Sequence, residues 1–122
     1  MATTLANRRI PVVEDEMMIT LVVEEVLKEL GCLIVGPANK LEAALRLARQ
    51  EEIDAAILDI TIRGGQVFPV AEVLIERGVP FILASGYGDW SLPQAFQGKP
   101  RLQKPFTSDE LQSALEAIAA PS

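Results

Sequence analysis

Ala55-Ala56-Ile57-Leu58-Asp59-Ile60-Thr61 is the stretch on which the fold turns. A short apolar run leads straight into a single carboxylate, and a polar loop follows, Thr61-Ile62-Arg63-Gly64-Gly65. Ala55 to Asp59 reads as a strand buried on both faces. An open α/β sheet carries its polar chemistry at the carboxyl ends of its strands, so Asp59 is the first candidate functional residue.

Upstream, Ile10 to Val13 reads as a first strand, between Arg8-Arg9 and the acidic cluster Glu14-Asp15-Glu16. Pro11 lies inside it and cannot donate a ladder hydrogen bond, which argues against a regular central strand. From Met17 to Leu30 the period is helical. Ile19, Val22, Val23, Val26, Leu27 and Leu30 share one side, and Glu24, Glu25, Lys28 and Glu29 the other. Gly31 is a stop signal. Cys32 to Gly36 reads as a second strand ended by Gly36-Pro37. Asn39 is the expected cap of a helix that carries Leu41, Ala44, Leu45 and Ala48 on one stripe and ends near Glu52.

Downstream, Pro69 suits the first turn of a helix over Phe68–Arg77, which Gly78 stops. Pro80 to Ala84 is a further strand. Residues 89–100 hold Pro93, Gly98 and Pro100, so only a short, mobile helix is expected there, over Leu92–Phe96. Arg101 to Lys104 is the last strand. Thr107-Ser108-Asp109-Glu110 reads as a capping box ahead of Leu111, Ala114, Leu115 and Ile118. Strands that alternate with helices require crossovers, and thus a parallel sheet with helices on both faces.

Composition narrows the function. The 122 residues fit one domain, expected over residues 9–120 after a loose lead-in of residues 1–8. A hydrophobic share of 49% supports a core rather than disorder. A net charge of −6 argues against a nucleic-acid partner. The chain has no histidine, so Ser–His and Cys–His catalysis and His-based metal sites are excluded. The single cysteine, Cys32, reads as a small buried hydrophobe. No apolar run is long enough to span a membrane and no signal peptide is evident, so a cytoplasmic protein is expected.

The strand ends form a constellation. The first ends in Glu14 and Asp15, the third in Asp59, the fourth in Ser85 and the last in Lys104 before Pro105. Gathered carboxylates repel one another unless a hard cation such as Mg²⁺ lies among them. One carboxylate can act as the nucleophile of aspartyl-phosphate chemistry, while a hydroxyl and an ammonium suit the phosphoryl oxygens. Alone, a strand-end Asp commonly just caps the next turn; the companion residues make phosphoryl transfer the better reading.

Val12-Val13-Glu14-Asp15-Glu16, Ile57-Leu58-Asp59, Ala84-Ser85-Gly86 and Gln103-Lys104-Pro105-Phe106 resemble the four signatures of chemotaxis-type response-regulator receiver domains of two-component signalling. Pro80 to Gly88, with Pro100 to Phe106, is similar to the FATGUY subgroup of mostly stand-alone receivers. The resemblance implies a flavodoxin-like, doubly wound (βα)5 fold with five parallel strands in the order 2-1-3-4-5. It implies that Asp59 accepts phosphate from a sensor histidine kinase of the HWE or a related type, or from a histidine phosphotransfer protein. Mg²⁺ would be held by Glu14, Asp15, Asp59 and the backbone carbonyl of Thr61, with Ser85 and Lys104 on the phosphoryl group and a cis bond before Pro105. Output would pass to a downstream protein by phosphorylation-dependent contact, or the chain would act as a phosphate sink.

One departure bears on the switch. Arg101 stands where most receivers have an aromatic residue three positions before the Lys, which leaves Tyr87 as its candidate replacement. Met17, Met18 and Leu21 are candidates for docking the kinase. The rival readings are an interaction module that does not switch and a receiver cut from a larger regulator or hybrid kinase. A haloacid-dehalogenase-type hydrolase would need an Asp where Thr61 stands, and a flavodoxin-like electron carrier would find its phosphate repelled by Glu14-Asp15-Glu16. Beyond self-phosphorylation and self-dephosphorylation, no enzyme activity is expected.

Overall fold

The computed structural model describes residues 5–86, 93, 96 and 98–119. Its elements are β1 (Arg9–Val13), α1 (Met17–Glu29), β2 (Leu33–Ala38), α2 (Leu41–Gln50), β3 (Ala56–Asp59), β4 (Thr61–Ile62), β5 (Gly65–Gln66), α3 (Phe68–Glu76), β6 (Phe81–Ser85), β7 (Arg101–Gln103) and α4 (Ser108–Ala119). Five strands form one parallel sheet in the order β2-β1-β3-β6-β7. That is the expected 2-1-3-4-5 arrangement, with the small β4–β5 hairpin set apart from it.

Alternation along the inner strands sorts their side chains to two faces. Val13, Ala56, Leu58, Phe81 and Leu83 pack with Val70, Ala71 and Leu74 of α3 and with Ala44 and Ala48 of α2. Ile10, Val12, Ile57 and Ile82 pack on the other face with Val23, Val26 and Leu27 of α1 and with Leu111 and Leu115 of α4. Every residue of β3 and β6 is buried, as the continuous apolar runs require.

Pro11 is accommodated by an irregularity. It pairs with Val35, but Val13 pairs with Ala38, so β2 carries one extra residue where β1 lacks its N–H. Gly36 (φ 93°) and a cis Gly36–Pro37 bond lie at that point. A Cβ on Gly36 would approach Ala38 N and Leu47 Cδ1 to 3.1 Å at a φ that side chains rarely adopt, so glycine is favoured there. Gly36-Pro37 therefore does not end β2; the strand runs through it to Ala38, whose carbonyl accepts from Glu14 N–H at 3.0 Å.

The helix ends divide into local and distant solutions. The capping box at α4 forms reciprocally: Glu110 N–H donates to Thr107 Oγ1 at 3.1 Å, and Thr107 N–H to Glu110 Oε1 at 2.9 Å. Asn39 does not cap α2. Lys40 holds the cap position without a side-chain bond, and the first N–H of the helix, Leu41, donates to the Arg63 carbonyl at 2.8 Å. The loop after β3 thus supplies the cap, and it is a hairpin rather than an open loop. The expected Leu92–Phe96 helix lies largely outside the described residues; Phe96 itself is buried and stacks on Phe68, ring centroids 5.0 Å apart. Tyr87, the candidate replacement for the aromatic, also lies outside them.

The lead-in is not loose throughout. Leu5 is fully buried against the α1–α4 face, its carbonyl accepts from the Cys32 thiol at 3.4 Å, and Asn7 N–H donates to the Gly31 carbonyl at 2.8 Å. Leu5→Ala should lower the free energy of unfolding by about 2–4 kcal/mol, since it leaves a cavity under a closed layer. Urea denaturation measures this; a loss below about 0.5 kcal/mol would mean that Leu5 is not docked in solution.

Candidate functional site

Parallel strands bring the four motif ends to one edge of the sheet. Asp59, at the end of β3, and Glu14, just past β1, are 3% and 5% exposed. Lys104 follows β7 and is held by its N–H on the Ser85 carbonyl at 2.7 Å; the Lys104–Pro105 bond is cis. Its ammonium reaches inward to Asp59 Oδ2 at 2.9 Å and Glu14 Oε1 at 3.0 Å, with Glu16 Oε1 at 3.3 Å on the solvent side. Glu14 Oε2 also accepts from the backbone N–H groups of Asp15 and Glu16, both at 3.1 Å. These bonds turn the start of α1 toward the carboxylates.

Glu14, Asp15 and Asp59 each offer an oxygen, all within 4.8 Å of one another. This is a hard, all-oxygen donor set that a dication of the Mg²⁺ type fits. Asp59, Asp15, Glu16, Thr61, Arg63, Gly86 and Lys104 line an open cavity of about 500 Å³. Thr61 N–H points to Asp59 Oδ1 at 3.4 Å. Ser85 lies at the same edge but is buried, and its hydroxyl is 3.5 Å from the Leu102 carbonyl rather than in the cavity. Arg101 is exposed on β7, opposite Leu83.

The electrostatics are dominated by burial. Asp59 is pushed up to about 7, first by desolvation, then by its hydrogen bond with Glu14; the bond to Lys104 pulls the other way. Burial would lower the Lys104 ammonium, but its bonds to Asp59 and Glu14 outweigh this and raise it above the ordinary lysine value. The cluster therefore retains its ammonium, while Asp59 bears the strain.

Met17, Met18 and Leu21 are 76%, 75% and 53% exposed at the start of α1. Met18, Ile19 and Val22 join Pro105 and Phe106 around an apolar groove of about 180 Å³. Glu16 and Arg63 are the site residues that sequence reasoning misses. Glu16 stands in the quoted acidic cluster with no role attached, and Arg63 is four positions after Asp59 in what reads as an ordinary turn.

Fold and cluster together define a flavodoxin-like α/β domain with a lysine-bridged acidic site at the carboxyl edge of its sheet. No family model matches the chain. It is 28% identical over 119 residues to the transcriptional regulatory protein PdtaR of Mycobacterium tuberculosis; the match covers 94% of this chain and 58% of that protein, so the chain spans little more than half its length. The solution structure of SdrG from Sphingomonas melonis matches with a TM-score of 0.82 at 41% identity, over 95% of this chain and 98% of that one. SdrG in its BeF3-activated conformation matches with a TM-score of 0.77 at 40% identity, over 98% of this chain and all (100%) of that one. The receiver domain of the sensor histidine kinase PA1611 from Pseudomonas aeruginosa, solved with a magnesium ion coordinated in its active site cleft, shares the fold; its TM-score is 0.76 at 24% identity, over 95% of this chain and 100% of that one. The chain belongs to the response-regulator receiver family. Among the described residues no helix is long and apolar enough to cross a membrane.

The raised Asp59 has a consequence for stability. The unfolded carboxyl ionises near 3.8 and the folded one near 7, so the unfolded state gives up its proton first as pH rises. Stability linked to this group is fully present below about pH 4 and is lost as pH rises through about 7. Without divalent cations, Asp59→Asn should be more stable than the wild type at pH 8, by about 1–2 kcal/mol after allowing for the lost bond to Lys104. The gain should shrink toward pH 4. Thermal unfolding in chelator across this range measures it; a variant that is less stable at pH 8 would contradict the assignment.

Proposed function

We propose that the chain is a receiver that accepts a phosphoryl group on Asp59 from the phosphohistidine of a sensor histidine kinase, HWE-type or related, or of a histidine phosphotransfer protein. The observation that carries this reading is the buried Asp59 carboxylate, 2.9 Å from the Lys104 ammonium and sharing a ligand-sized space with Glu14 and Asp15. Residues 9–120 form the receiver unit, with Leu5 packed beneath it. The motifs around Ser85 and Lys104 support the FATGUY-like assignment.

Glu14, Asp15 and Asp59, with the Thr61 carbonyl, would hold Mg²⁺. Bound there, the ion offsets the carboxylate repulsion and withdraws charge from the phosphoryl oxygens. An Asp59 Oδ forms the new bond to phosphorus as the donor's P–N bond breaks, and the electron pair leaves with the imidazole nitrogen. Lys104 supplies an ammonium to the transferred group, and Ser85 turns its hydroxyl from Leu102 to a phosphoryl oxygen. Tyr87 and Arg101 are the candidates that report this change to a downstream protein; without such a target the chain acts as a phosphate sink. Met17, Met18 and Leu21 present exposed apolar surface beside the site, suited to a kinase helix bundle. The chain acts on no separate substrate and is expected in the cytoplasm.

In an isotope-labelled wild type, Mg²⁺ with beryllofluoride should shift amide resonances around residues 14–16, 59–63, 85–86 and 104, while Asp59→Asn should not respond to beryllofluoride. Equal responses, or none in the wild type, would overturn the phosphoacceptor assignment. Replacing Met17 and Leu21 by charged residues should slow transfer from the kinase and spare labelling by a small phosphodonor; equal loss with both donors would overturn the docking role.

A further inference from the structure

We propose that Arg63 is a specificity-determining residue for the phosphodonor, its guanidinium meeting the phosphoryl oxygens of the incoming donor at the mouth of the acidic cavity. This rests on the receiver reading above and adds a residue to it.

The placement of Arg63 is fixed by its backbone. Its carbonyl accepts from Leu41 N–H at 2.8 Å, and it bridges Lys40 in parallel register. The β4–β5 hairpin closes around it through Thr61–Gln66 and Ile62–Gly65 pairing. Gly64 turns at φ 95°, where a Cβ would approach Leu41 Cβ to 3.3 Å. Two independent anchors thus hold the backbone, while the residue is exposed and lines the cavity with Asp59, Asp15 and Lys104. Among the described residues its guanidinium makes no ion pair.

The charge around the cavity gives this cation a task. Four carboxylates, of Glu14, Asp15, Glu16 and Asp59, face one ammonium, that of Lys104, which is already bonded to three of them. A dication among the carboxylates still leaves a formal excess of negative charge. An anionic phosphodonor would meet that excess first, and among the described residues Arg63 is the other cation on the cavity wall, placed to offset it. Its planar fork suits phosphoryl oxygens bidentately, which a lysine cannot reproduce in full.

With acetyl phosphate as donor, the bond from an Asp59 Oδ to phosphorus forms, the bond from phosphorus to the acetate oxygen breaks, and its electron pair departs with acetate. Arg63 contributes hydrogen bonds and charge and takes no part in the bonds made and broken.

The test compares wild type, Arg63→Gln and Arg63→Lys in saturating Mg²⁺ with subsaturating acetyl phosphate. The second-order rate constant for phosphorylation should fall about three- to tenfold in Arg63→Gln and by about twofold at most in Arg63→Lys, with the larger differences at low ionic strength. Mg²⁺ affinity, measured by calorimetry, should be unchanged or tighter in Arg63→Gln, because a cation has been removed from the rim. Phosphorylation of Arg63→Gln at the wild-type rate would overturn the proposal and leave the receiver reading intact. So would a fall in Mg²⁺ affinity that matches the fall in rate, since the effect would then pass through the metal. A wild type that takes up no phosphate would overturn both.

Discussion

The Lys104 ammonium, held between Asp59 and Glu14 at 2.9 and 3.0 Å, is the contact around which this molecule is arranged. It joins residues that are 45 and 90 positions apart in the chain. Taking an ammonium and two carboxylates out of water costs several kcal/mol per ion unless the geometry is good and the remaining lone pairs are met. The sheet meets that condition. The order β2-β1-β3-β6-β7 sets the ends of β1 and β3 side by side, Lys104 reaches them from the end of β7 on the far side of β6, and Glu14 Oε2 is further satisfied by two backbone N–H groups at the head of α1. The two apolar layers hold those strand ends in register, so the core serves the site as well as stability.

The same contact leaves the site unbalanced. Lys104 is kept charged, but Asp59 is pushed up to about 7, first by burial and then by Glu14 beside it, and the Lys104 ammonium only partly offsets this. A domain built only for stability would replace such a cluster with apolar residues. Retained, it is a place prepared for additional positive charge and for a group that draws Lys104 toward itself. On the reading proposed above, the dication and the phosphoryl group meet those two needs in turn. The hairpin after β3 adds Arg63 to the same wall and caps α2 with its backbone, so one short segment connects the acceptor to the outer layer of the fold.

Much of this was legible in the sequence because its signals are local. The apolar run into Asp59, the helical stripe from Ile19 to Leu30 and the reciprocal Thr107–Glu110 box each depend on a few neighbouring residues. The readings that failed depend on distant partners. Asn39 is a good cap by residue type, yet the α2 N–H is taken by the Arg63 carbonyl, a backbone group that no local pattern encodes. Gly36-Pro37 looks like a stop, but β1 lacks the Pro11 N–H there, and an extra residue in β2 restores the pairing. Leu5 carries no periodicity to distinguish it from a loose terminus, although it is fully buried. Within the site, the carboxylates, Ser85 and Lys104 follow from their strand ends, whereas Arg63 follows only from the hairpin.

The central claim is that Asp59, among the carboxylates of this edge, becomes phosphorylated. Mass spectrometry of the intact chain after incubation with Mg²⁺ and acetyl phosphate, followed by peptide mapping of the labelled product, tests it most directly. A single added phosphoryl group on the peptide that contains Asp59, absent in Asp59→Asn and absent without Mg²⁺, is the expected result. A phosphoryl group on another residue, or the same label in Asp59→Asn, would contradict the account.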